Sequence, residues 1–203
     1  MPGQIIILNG APRSGKSSIA EAIQESYDGI WMKLGVDLSS QGIPSKVRPG
    51  IGLRPGGERP DLEAVIPMLY AALYESIAAH SRLDLNVVVD IGHHDSYSTP
   101  LNILQDCLRR LEGLPVIFVG VRCPLEVILE RRRTSPEGSY LAPAPGEGVP
   151  DPILRWQTEV HKPGIYDMEV DTSRQSPKEC AENIRTYLLS YRPVSALDRI
   201  LGH

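Results

Sequence analysis

The sequence predicts a single α/β domain in which about five parallel strands alternate with helices to form a doubly wound sheet. Three observations favour this fold class. Short apolar runs are separated by segments with helical periodicity, and the first of these runs leads through a glycine-rich loop into a helix. The 203 residues are also enough for one such domain with a substantial core, but too few for two ordinary domains.

The first element is the segment QIIILNGAPRSGKSSI at residues 4–19. Its order of strand, glycine-rich loop and helix is typical of a phosphate-binding loop, in which main-chain N–H groups and the positive end of a helix dipole hold the anion. The predicted nucleotide-binding residues are Gly10, Ala11, Pro12, Arg13, Ser14, Gly15, Lys16, Ser17 and Ser18.

Two residues of this loop have more specific predicted roles. Lys16 is expected to reach the β and γ phosphates, and the Ser17 hydroxyl to ligate Mg²⁺. Ser18 is a weaker candidate. Arg13 either contacts phosphate or is an exposed loop arginine, and the sequence leaves both open.

A second strand is predicted over residues 30–36, and Asp37 follows it. Ligands of open parallel sheets collect at the carboxyl ends of strands, so Asp37 is a candidate for chemistry. The alternative role is the N-cap of a following helix. The glycine- and proline-rich segment that comes next predicts a long loop, about residues 38–60, that covers an acceptor substrate. Its basic residues are either anion contacts or solvated: Lys46, Arg48, Arg54 and Arg59.

Residues 61–81 predict a helix, in which Pro67 marks either a kink or the true first turn. Tyr70 and Tyr74 belong either to the core or to the wall of an acceptor pocket. Residues 86–90 (NVVVD) predict a buried strand whose final aspartate, Asp90, helps to hold Mg²⁺ or caps a turn. The sequence of residues 93–95, His-His-Asp, invites a metal site. No further partner lies at ligand spacing, so a substrate-contacting loop is favoured.

A helix is predicted over 100–111, a strand over 116–121 and a helix over 125–133 that ends in Arg131, Arg132 and Arg133. Arginines at a helix end before a glycine- and proline-rich loop indicate a closing lid, about residues 131–152, that clamps phosphate. The alternative is a solvated basic helix end. A helix over 151–160, a strand over 168–170 and a helix over 177–189 complete the predicted domain at residues 1–191, with a peripheral tail at 192–203.

Composition excludes several classes of function. The net charge of −4 argues against a nucleic-acid-binding surface, and three widely spaced cysteines predict reduced thiols. No leader is seen and no apolar run of membrane-spanning length is evident, so we expect a cytoplasmic protein without a membrane partner. Nothing in the sequence supports a homo-oligomer.

The chain resembles the chloramphenicol phosphotransferase family, and more broadly the small P-loop kinases shaped like shikimate and adenylate kinases. The resemblance is carried by IIILNGAPRSGKSSI, by LGVD and VVVD ending in Asp37 and Asp90, by IFVGVRCPLEVILERR, and by VHKPGIYDMEVDTSRQSPKECA. It implies the P-loop NTPase fold, with ATP and Mg²⁺ as cofactors. It also implies transfer of the γ-phosphate to a hydroxyl of a small molecule, such as an antibiotic or a related metabolite.

In residue terms, the resemblance implies that Asp37 is the base, that Lys16 binds phosphate, and that Arg132 and Arg133 are lid arginines, with Arg131 as a further match. The family continues this helix with a compact Arg-Gly-Asp-Arg segment. Here residues 134–152 (TSPEGSYLAPAPGEGVPDP) contain no basic residue, and Arg155, after this segment, is the candidate substitute for the second lid arginine. Two other functions stay open: a metabolic kinase for a sugar, nucleoside or shikimate-like acid, and a nucleotide-binding regulatory module.

Overall fold

The computed structural model describes residues 1–57, 59–134, 148–190 and 194–202. Its centre is a parallel sheet of five strands in the order β2-β3-β1-β4-β5. The predicted five-stranded parallel sheet is therefore confirmed. The strands are β1 (Ile5–Asn9), β2 (Trp31–Gly35), β3 (Asn86–Ile91), β4 (Val116–Arg122) and β5 (Met168–Asp171).

Helices connect the strands and lie on both faces of the sheet. The helices that the sequence predicts lie within a few residues of those positions, because their apolar residues recur at helical spacing. The helices of the described residues are α1 (Lys16–Ser26), α2 (Val36–Ser40), α3 (Pro60–Glu63), α4 (Ile66–Arg82), α5 (Ile103–Arg109), α6 (Leu125–Arg133), α7 (Asp151–Glu159), α8 (Pro177–Leu188) and α9 (Ala196–Leu201). Short 3-10 turns occur at Ser45–Val47 and Gly50–Leu53.

The central strand shows why the sheet is covered on both faces. Ile5 and Ile7 pack into one apolar cluster with α4, α5 and α9, whereas Ile6 and Leu8 pack into another with α1 and α8. All four side chains are fully buried. Successive side chains of a strand point to opposite faces, so a continuous apolar run of this kind requires a helix layer on each side.

The segment Pro60–Arg82 meets the length and composition of a membrane-spanning helix, which corrects the expectation that no apolar run approaches that length. In the structure this segment is divided into α3 and α4, and α4 packs against the sheet. Ile66, Tyr74 and Ile77 are all fully buried in the core. Pro67 lies in the first turn of α4, one of its two predicted positions.

The prediction of a peripheral C-terminal tail is wrong for the part of the tail that the structure describes. Helix α9 buries Ala196, Leu197 and Ile200 in the same core cluster as α4 and α5. The Asp167 carboxylate accepts a hydrogen bond from the Ala196 N–H at 2.7 Å. Ser195 caps the helix in a reciprocal capping box with Asp198. The sheet therefore needs α9 to cover the end of one face.

Candidate active site

The phosphate loop follows β1 directly and has the backbone geometry that its sequence predicts. Gly15 is left-handed, with φ of 97°, and it is the N-cap residue of α1. A Cβ at Gly10 would lie 2.5 Å from the Val121 carbonyl oxygen, so only glycine fits there. No acidic residue lies in the first turn of α1, so the free N–H groups and the helix dipole are available to an anion.

Lys16, Ser17 and Asp90 lie together at the mouth of this loop. The Lys16 ammonium donates to the Ala11 carbonyl at 3.0 Å and lies 3.5 Å from the Asp90 carboxylate. The Ser17 hydroxyl donates to the other oxygen of the same carboxylate. The two predicted metal ligands, which are 73 residues apart in sequence, are thus in direct contact.

This group suits Mg²⁺ by its chemistry. Ser17 and Asp90 offer hard oxygen ligands, which Mg²⁺ prefers, beside a loop built to hold phosphate. No group of three or more His, Cys, Asp or Glu side chains that could hold a metal exists among the described residues. Since Mg²⁺ is usually bound through one or two protein ligands together with phosphate and water, such a cluster is not needed.

Strand order explains how Asp37 reaches the same site. Because β2 is next to β3 and β3 is next to β1, the residues that follow these strands meet at one edge of the sheet. Asp37 is exposed and lies in the first turn of α2, two residues after the end of β2. Gly35 is the N-cap residue of this helix, so the alternative role of Asp37 as an N-cap is wrong.

A cavity of about 300 Å³ joins these groups. Its floor comes from the phosphate loop and the ends of β2 and β3, and it includes Lys16, Ser17, Asp37 and Asp90. Arg132 of α6 also lines it. The remaining lining residues are mainly apolar and come from five separate segments: Val36, Gly50, Leu53, Tyr70, Ile91, Gly92, Pro152, Ile153 and Trp156, together with Gly10, Pro12, Arg13 and Arg54.

A second cavity of about 330 Å³ lies on the other side of the phosphate loop, towards β5 and α8. Lys16, Ser17 and Arg13 line both cavities, so the two spaces meet at the phosphate loop. The remaining residues of the second cavity are Gly15, Ser18, Arg131, Thr172, Gln175 and Pro177. Two spaces that share a phosphate loop are what a transfer between two substrates requires.

The three predicted lid arginines have three different environments. Arg132 is 7% exposed and lines the first cavity. Arg131 donates to the Thr172 hydroxyl and carbonyl at 3.0 and 2.8 Å. The guanidinium groups of Arg131 and Arg13 each donate to the backbone carbonyl of the other residue. Arg133 is exposed and pairs with Glu130, and it does not line the cavity. Residues 135–147 of the predicted lid lie outside the described residues.

The other predicted anion-contact residues mostly lie elsewhere. Arg54 lines the first cavity, but Arg48 donates to the Ile43 carbonyl, and Arg59 pairs with Asp61 at 2.7 Å. Lys46 is not among the cavity residues. Arg155 pairs with Asp151, and its guanidinium lies 2.4 Å from the position of a Cβ built on Gly56. Arg155 therefore packs against Gly56 and is not among the residues of either cavity that the phosphate loop lines.

His93 and His94 are structural in the described chain. The His94 Nε2–H donates to the Leu53 carbonyl at 2.8 Å, and its Nδ1 accepts from the Ser96 N–H at 3.2 Å, which requires the neutral ring. Burial lowers the pKa of His94. Burial also lowers the pKa of His93 to about 3, and this ring shares a 2.7 Å hydrogen bond with the Tyr74 hydroxyl. His94 thus fixes Leu53, which lines the cavity.

Sequence reasoning missed the contribution of α7. Ile153 and Trp156 line the first cavity, and the Trp156 ring packs edge-on against His94 with ring centroids 5.1 Å apart. The only sequence signal was the helical spacing of these two apolar residues, three positions apart. Such spacing is typical of a helix with one buried face, but it does not show which site that face lines.

A parallel sheet of this order with a phosphate loop, Lys16, Ser17 and Asp90 in contact defines the class of P-loop phosphotransferases. The chain belongs to one family within it: the model for "Chloramphenicol phosphotransferase-like protein" matches residues 3–189. It is 28% identical over 196 residues to a Mycobacterium tuberculosis (strain H37Rv) protein named "Putative O-phosphotransferase Rv2636", covering 90% of this chain and 80% of that protein.

Solved structures of kinases share the fold. The M. tuberculosis APS kinase CysC, in complex with AMPPNP and APS, superposes with a TM-score of 0.64 at 19% identity, over 93% of this chain and 99% of that chain. Shikimate kinase from Acinetobacter baumannii, in complex with shikimate, gives a TM-score of 0.61 at 15% identity, over 95% and 96% of the two chains. At these identities the similarity establishes the fold.

Proposed function

We propose that this protein transfers the γ-phosphate of ATP to a hydroxyl group of a small molecule held in the first cavity. The observation that carries the proposal is the position of Asp37. This carboxylate lines the same cavity as Lys16 and Ser17 of the phosphate loop, and it is not among the residues of the second cavity. A base in one of two spaces that share a phosphate loop, with the second space left for the nucleotide, matches the needs of an in-line transfer.

The proposed roles follow from the contacts. Asp37 orients the acceptor hydroxyl and takes its proton. Lys16, and Arg132 on α6, lie where they can stabilise negative charge on the transferring group. Ser17 and Asp90 would hold Mg²⁺, which when bound bridges phosphate oxygens and neutralises their charge. Transfer of this kind depends on positioning and charge stabilisation, so these five side chains suffice.

The acceptor class has one leading candidate and one alternative. The cavity wall is rich in apolar groups from Val36, Leu53, Ile153 and Trp156, which favours an acceptor with an apolar body, as in a hydroxylated antibiotic. Arg54 on the same wall favours the alternative, a metabolic kinase acting on an acidic acceptor such as a shikimate-like acid.

The test is a transfer assay with ATP and Mg²⁺ against chloramphenicol, adenosine, glucose and shikimate, with mass detection of added phosphate. A phosphorylated product supports the proposal and identifies the acceptor class. Tight ATP binding with no phosphorylated product from any compound class would instead favour a nucleotide-binding regulatory module.

A further inference from the structure

Tyr70 on α4 has an unusual environment for a buried tyrosine. It is 5% exposed and lines the first cavity together with Asp37. Within the described part of the chain no group forms a hydrogen bond with its hydroxyl. The hydroxyl oxygen keeps some accessible surface, unlike the Nδ1 atom of His93, which is buried without a partner. The hydroxyl is therefore open to the cavity space and available to a ligand.

The other two buried tyrosines of the described chain show what is normal. The Tyr74 hydroxyl bonds to His93 Nε2 at 2.7 Å, and the Tyr166 hydroxyl accepts from Asn9 Nδ2 at 2.9 Å. Buried phenol groups usually find such a partner, because an unsatisfied one costs free energy. Tyr70 departs from this rule, and it lies at the border of the candidate active site.

The surroundings of Tyr70 provide room for a bound molecule. Val36, Leu53 and Tyr70 line both the 300 Å³ cavity and a smaller one of about 30 Å³ beneath the loop of residues 38–57. Tyr70 thus stands where the two spaces meet. Burial raises the pKa of Tyr70 well above its usual value, with smaller contributions from Tyr97, Cys107 and, last, Asp37. Its hydroxyl stays protonated at any working pH and can donate to an oxygen or nitrogen acceptor.

We infer that the Tyr70 hydroxyl binds a second hydrogen-bonding group of the acceptor, such as a hydroxyl, amide or carbonyl, while the acceptor hydroxyl to be phosphorylated lies at Asp37. This inference rests on the proposed function and deepens it. The acceptor class becomes a molecule with at least two polar groups, separated by the distance between the Asp37 carboxylate and the Tyr70 hydroxyl. A site built to form such a bond discriminates against analogues that lack it.

The test compares Tyr70→Phe with Tyr74→Phe, two variants that each remove one hydroxyl from the same helix. The substrates are the compound that the wild type phosphorylates in the panel and its analogues that lack one polar group at a time. We expect Tyr70→Phe to raise the KM for the acceptor about tenfold, the usual effect of one lost hydrogen bond, and to leave the KM for ATP unchanged. The analogue that lacks the polar group bound by Tyr70 should have the same raised KM with the wild type and with Tyr70→Phe.

The control variant should show the opposite pattern. Tyr74→Phe leaves a buried His93 nitrogen unpaired, so it should lower the melting temperature while the KM for the acceptor stays at the wild-type value. If the wild type phosphorylates a compound and Tyr70→Phe has an unchanged KM for it, the inference fails and the proposed function stands. If the wild type phosphorylates no compound, the proposed function fails and the inference fails with it.

Discussion

Three successive arginines at the end of α6 differ in what their guanidinium groups contact. Arg131 ties the phosphate loop to the segment after β5, through Arg13 and Thr172. Arg132 is buried and lines the cavity, whereas the side chain of Arg133 is 63% exposed and pairs with Glu130 at 3.2 Å. An exposed ion pair of this kind contributes little to stability. Only Arg132 combines burial with access to the first cavity.

This difference gives a prediction for a matched pair of variants. Arg132→Ala should lower kcat for acceptor phosphorylation by about 100-fold or more, because it removes a charge placed to stabilise the transition state. Arg133→Ala, which changes the same residue type one position away, should stay within about twofold of the wild type. Steady-state kinetics with saturating ATP measure both. A larger loss in Arg133→Ala than in Arg132→Ala would reverse the assignment.

Among the elements, α9 shows best what the sequence could not reveal. It has only six residues, too few for a periodic pattern that would distinguish it from a loose tail. Ala196, Leu197 and Ile200 nevertheless complete the core beside α5 and β4. The long helices were predictable, because α1, α4 and α8 each repeat their apolar positions over several turns. The start of α4 matches one of the two positions predicted for Pro67, whereas the short helix α3 before it was not predicted.

A prediction at this scale tests whether α9 is part of the core. Leu197 is 6% exposed, so Leu197→Ala should lower the free energy of unfolding by about 2–4 kcal/mol. The matched control is Leu189→Ala at the end of α8, where the leucine is 84% exposed and its truncation should change the free energy of unfolding by less than about 0.5 kcal/mol. Urea denaturation measures both, and equal midpoints for the two variants would show that α9 is dispensable.

At the scale of the whole molecule, the strand order brings distant residues into one site. Lys16 and Ser17 were predictable from a local motif, and Asp90 from its position near the end of a buried strand, where it contacts both. Asp37 was predictable as a candidate, and the adjacency of β2 and β3 explains its place in the cavity. The walls were not predictable, because they come from segments far apart in sequence whose meeting depends on tertiary packing rather than on any local pattern.

The central claim is that Asp37 serves as the base for phosphate transfer to a small-molecule hydroxyl. The most direct test measures acceptor phosphorylation and ATP binding in the wild type, in Asp37→Asn and in Asp84→Asn, an exposed control just before β3, at the opposite edge of the sheet from the candidate site. We expect Asp37→Asn to lower kcat about 100-fold or more while the dissociation constant for ATP stays within about twofold, and Asp84→Asn to match the wild type. Phosphorylation by Asp37→Asn at the wild-type rate would contradict the claim.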